Sequence, residues 1–211
     1  MGMALFAAPL LALCDQGFVP GPTLCAITVL SSAVAWRERA AIDRRIIAVA
    51  LLGLAGGSAL GVAILAMLAG LDLSRLFGAL ILLTVGLSLA GLQLRAGRPA
   101  LLIGGAAAGI LGTMCGVQGP PIALVLQHEP PERLRATLCA FFAIGGAIST
   151  LALALSGLFA MRQLGLALEL LPGVPLGLAL ARPIARHIDR RRARFAVLTI
   201  SALSAVALLL R

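Results

Sequence analysis

Apolar residues in this chain fall into long uninterrupted runs rather than stripes. Ile46 to Leu71, Leu76 to Leu94, Ala136 to Met161 and Phe195 to Leu210 each lack any charge. A membrane-spanning helix needs roughly 17–25 mainly apolar residues. One such run could be a signal peptide or a core helix, but four cannot. The pattern therefore predicts helices at Pro22–Trp36, Ile46–Ala69, Leu76–Leu94, Leu134–Ala160, Gln163–Ala181 and Phe195–Leu210. Met3–Leu13 is a shorter apolar piece, followed by a Pro/Gly-rich turn at Cys14–Gly21. Ala100–Thr113 is too short to span comfortably. It runs into the break Met114-Cys115-Gly116-Val117-Gln118-Gly119-Pro120-Pro121, and a second short piece, Ile122–Gln127, follows.

Composition agrees with a bilayer as solvent. Of 211 residues, 61% are hydrophobic and 12% charged, where soluble domains have about 45–50% and about 25%. The net charge of +9 comes from arginines in short loops. Membrane topology explains that placement, which argues against a nucleic-acid partner. Cys14, Cys25, Cys115 and Cys139 lie in or beside apolar runs, with neither a disulfide framework nor metal spacing. No cofactor is implied. The lipid bilayer is the expected partner, and a homo-oligomer stays open.

An internal repeat organises the chain. Thr23-Leu24-Cys25-Ala26 recurs as Thr137-Leu138-Cys139-Ala140, and the same offset carries Gly2 onto Gly116 and Asp15 onto Glu129. Gly57 and Gly61 then match Gly173 and Gly177, and Leu76-Phe77 matches Arg194-Phe195. The offset drifts slowly, as small insertions would make it. Two repeats follow, 1–95 and 100–211. Ala100–Cys115 precedes Gly116, whereas only Met1 precedes Gly2, so the first half is expected to lack its opening short helix, through truncation or a mis-set start.

Loop arginines set the orientation. If 100–128 is re-entrant, entering and leaving on one side, fourteen arginines lie inside and three outside. A single crossing would put the six-arginine loop Arg182–Arg194 on the side of the arginine-free turn at 14–21. The re-entrant arrangement gives each half three full crossings. An odd number inverts the halves, and inverted repeats with broken helices are a recurrent transporter architecture. The expected fold is all-α: a polytopic helical membrane protein of two inverted repeats, each with a re-entrant broken segment.

Irregular backbone at membrane depth is tolerated where it is buried in protein or lines a watery cavity. Gly112, Gly116 and Gly119 permit close approach, Gln118 and Thr113 offer neutral hydrogen bonds, and Pro120 and Pro121 would start a short helix whose N-terminus suits an anion. The equivalent first-half piece, Gly2 to Pro9, is thinner in glycine. Close helix packing is the competing explanation for the glycines. Glu169, inside an apolar run, and His128, after the break, are candidates for coupling or gating.

Gly109-x-x-Gly112-x-x-x-Gly116-x-x-Gly119-Pro120-Pro121 resembles the second-half motif of the TauE/SafE sulfite-exporter family, and Gly2–Leu11 resembles its first-half motif, starting late. The resemblance covers essentially the whole chain. It implies a carrier in the plasma (inner) membrane, multi-pass, moving sulfite or related small organosulfonates. It implies no enzyme. The alternatives are a membrane-embedded enzyme, which would need a catalytic polar set at one depth, or a non-transporting assembly subunit.

Overall fold

The computed structural model describes residues 2–68, 73–89, 97–185 and 190–209, all of its regular structure being helical. The connections at 69–72, 90–96 and 186–189, which hold part of the arginine loops counted above, lie outside the described residues. In chain order the helices are α1 (Gly2–Cys14), α2 (Gly21–Arg37), α3 (Arg44–Met67), α4 (Leu73–Leu89), α5 (Arg98–Cys115), α6 (Gly119–Leu126), α7 (Pro131–Leu155), α8 (Met161–Leu170), α9 (Gly173–Ala185) and α10 (Arg190–Leu209). Among the described residues, three helices, α3, α5 and α7, are long and apolar enough to cross a membrane.

Several boundaries differ from the sequence expectation for identifiable reasons. Gln163–Ala181 was expected as one helix and is two. Pro172 removes a backbone donor and clashes with the preceding turn, so α8 stops at Leu170 and α9 restarts at Gly173, with Pro175 accommodated in its first turn. Ala100–Thr113 is longer than expected. Gly97 caps α5, Pro99 sits in its first turn, and the helix reaches Cys115, 18 residues in all. The helix expected to end at Ala160 stops at Leu155, and Gly157 in the left-handed region turns the chain. Asp43 starts α3 two residues before Ile46 by accepting hydrogen bonds from the Arg45 and Ile46 N–H groups.

The closest seam joins α3 to α5. A Cβ on Gly53 or Gly57 would overlap the carbonyls of Leu102 or Ala106, and one on Gly105 or Gly109 would overlap those of Ala50 or Leu54. Backbone therefore meets backbone, as small residues allow in membrane helices. The register fixes direction. Ala50 lies against Gly105, Leu54 and Ser58 against Gly109, and Gly61 against Thr113, so the two helices run parallel. α6 then turns back along α5, placing Pro121, Ile122 and Val125 beside Gly104.

Ion pairs tie the ends of the bundle. Arg133 and Arg135 at the start of α7 bind Asp43 and Glu38 in the α2–α3 connection. At the other end of α7, Arg162 on α8 holds Asp15 beside the start of α2, with N–O 2.6 Å, and Phe159 packs on Gly21. The start of α7 thus lies by the end of α2, and the end of α7 by the start of α2. The two helices pack together antiparallel.

Candidate functional site

The break between α5 and α6 lies inside this frame. Gly116 ends α5 in the left-handed conformation, φ 75°, a region that favours glycine, and its N–H donates to the Gly112 carbonyl. Gln118 forms the N-cap of α6, and Pro120 and Pro121 occupy the first turn, as the sequence suggested. All of Gly112, Thr113, Gly116, Gln118, Gly119, Pro120 and Pro121 are buried. They are brought together.

Gln118 is the centre. Its side chain does not cap its own helix. The residue is 3% exposed, and its Nε2 donates to Ser149 Oγ on α7 at 3.0 Å. Ser149 Oγ lies 2.9 Å from Ser58 Oγ on α3, and both serines are fully buried. Three separate helices therefore converge on one neutral polar cluster. Gln118 Oε1 has no partner among the described residues, and neither has Thr28 Oγ1 on α2. Gly112 and Gly145 form the walls. A Cβ at Gly112 would overlap Gln118 Cγ, and one at Gly145 would lie 3.4 Å from Gln118 Oε1 and closer still to Leu54. Thr113 spends its hydroxyl on the Gly109 carbonyl, so it shapes α5 rather than facing a ligand.

Other sequence candidates lie elsewhere. Gly2 opens α1, and Pro9 is buried within it. Glu169 on α8 and His128 after α6 are both exposed, and neither contacts the cluster among the described residues. Gly119 is roomier than the motif suggests, because its added Cβ would meet only Phe142 Cζ, at 3.7 Å. Sequence reasoning missed Ser58 and Ser149. Each is a single hydroxyl inside an apolar run. The available signal was their position, since polar side chains at membrane depth need an explanation.

No curated protein and no solved structure gave a match. The family model described as sulfite exporter TauE/SafE matches residues 1–208 of 211. A match over nearly the full length, on an all-helical chain with apolar spans and a buried glycine-rich break, places this membrane protein in the TauE/SafE sulfite exporter family.

Proposed function

We propose that this chain is a multi-pass carrier of the plasma (inner) membrane that moves small sulfur oxoanions, sulfite or short organosulfonates, by alternating access. The observation that carries this reading is the buried Gln118–Ser149–Ser58 cluster at an interrupted helix. Polar groups at that depth have a use when they line a solute path.

Two inverted halves are the proposed architecture. α2 and α7 carry the repeated tetrapeptide and run in opposite directions, as inversion requires. The pairing of helices supports the same symmetry: α1 packs on α10 as α6 does on α4, and α3 on α7 as α8 does on α2. The proposed gates are the terminal ion pairs, Asp15–Arg162 at one face and Asp43–Arg133 with Glu38–Arg135 at the other. Each joins an acid of the first half to an arginine of the second. Pairs this exposed contribute about 0–1 kcal/mol, which lets them break and re-form on a transport cycle. Arg162→Gln is therefore expected to leave thermal stability within about 1 kcal/mol of the parent. It should change the transport rate about fivefold, the shift that about 1 kcal/mol makes in a two-state population. An unchanged rate removes this pair from the mechanism.

Purified protein in lipid vesicles should exchange radiolabelled sulfite against the unlabelled anion, above protein-free vesicles. Absence of exchange for any sulfur oxoanion, with the protein intact by gel filtration, refutes the carrier.

A further inference from the structure

Among the residues whose burial is described, the buried polar side chains are all neutral: serines and threonines, and Gln118. The helices packed around the break carry their charges in end turns. These are Arg37 on α2, Arg44 and Arg45 on α3, Arg75 on α4, Arg98 on α5, Glu132, Arg133 and Arg135 on α7, and Arg190, Arg191, Arg192 and Arg194 on α10. Between those ends the titratable groups are the thiols of Cys25, Cys115 and Cys139, and Cys115 Sγ donates to the Leu111 carbonyl at 3.0 Å. An anion at Gln118 is therefore held by dipoles alone. The cost of taking an ion out of water grows as the square of its charge, so a dianion costs about four times as much as a monoanion of equal size. The helix end offers little to offset that. Pro120 and Pro121 carry no N–H, which leaves Gly119 the one backbone donor among the first three positions of the eight-residue α6.

A second feature concerns hydrogen. Gln118 Oε1 is a buried acceptor without a partner, while one of the two N–H groups of the amide donates to Ser149. A buried carbonyl left unpaired is costly and is satisfied by a ligand that donates. The positive end of α6, beside it, favours negative oxygen. Building on the carrier reading above, we infer that this site takes a singly charged oxoanion that keeps a hydrogen-bond donor, and excludes the fully deprotonated dianion. Such ligands are a monoprotonated acid or a hydroxyalkyl sulfonate.

Four probes test this in reconstituted vesicles: sulfite, 2-hydroxyethanesulfonate, ethanesulfonate and sulfate. Hydroxyethanesulfonate should move roughly tenfold faster than ethanesulfonate, the difference of one hydrogen bond to a buried acceptor. Its flux should be flat with pH. Sulfite flux should rise as pH falls, in proportion to hydrogen sulfite, after subtracting protein-free vesicles, and sulfate should not be carried. In Gln118→Met the preference between the two sulfonates should vanish. Carriage of sulfate, sulfite flux that follows the dianion, or equal rates for the two sulfonates overturns the inference while leaving a carrier. Persistence of the sulfonate preference in a folded Gln118→Met protein also overturns it, and if that variant does not fold the parent series decides. No flux of any probe overturns the carrier reading and this one with it.

Discussion

Gly112→Leu is expected to cut anion flux by about a hundredfold while most of the protein stays folded. A side chain at 112 must occupy the space of the Gln118 side chain, and Gln118 is buried and tied to Ser149. Displacing it costs the bond to Ser149 and any bond to a ligand. Two hydrogen bonds of about 1.5 kcal/mol together give a factor of roughly 100. The overpacking adds about 1–3 kcal/mol against folding, which is survivable for a bundle with its α3–α5 seam intact. Gly119→Ala is the control. Its new methyl meets only Phe142, at 3.7 Å, so flux should stay near that of the parent. Vesicle exchange and a thermal melt on the same samples separate the two effects. Equal flux in Gly112→Leu and the parent would show that Gln118 is not on the path.

Gly57→Leu should destabilise the protein by more than about 3 kcal/mol and leave little of it monodisperse. The added side chain has nowhere to turn, because it faces the Ala106 backbone rather than a movable side chain. Gly56, its neighbour, is the internal control: nothing lies within 4 Å of its added Cβ, so Gly56→Leu should be tolerated. Gel-filtration yield and melting midpoint of the two variants decide the matter. Similar behaviour of Gly56→Leu and Gly57→Leu would show that α3 and α5 do not meet through their backbones.

What was legible in the sequence was whatever a local pattern records. Apolar runs gave the long helices α3 and α7 because length and hydropathy alone decide a span. The break at 116–118 was legible because Gly116, Gly119, Pro120 and Pro121 act on their own backbone. The interruption between α8 and α9 was within reach for the same reason. It was lost because the apolar run on either side of Pro172 outweighed one proline. The partners of Gln118 were not legible. Ser149 is 31 residues away and Ser58 further still, and nothing local marks a serine as facing a cluster rather than its own helix. Nor could sequence rank the glycines. Gly56 and Gly57 are adjacent and chemically identical, yet one faces open space and the other a carbonyl.

The α3–α5 seam also bears on how the chain is made. α3 leaves the ribosome with a groove of Gly53, Gly57 and Gly61 whose occupant, α5, lies beyond α4. At synthesis rates of about 5–20 residues per second, the stretch from Gly57 to Ala106 takes roughly 2–10 s to appear. For those seconds lipid or the insertion machinery must fill a groove shaped for another backbone. The most tightly packed contact in the finished protein is thus among the late events of its birth, and slowed translation between α3 and α5 would prolong the interval in which α3 can pair with the wrong helix.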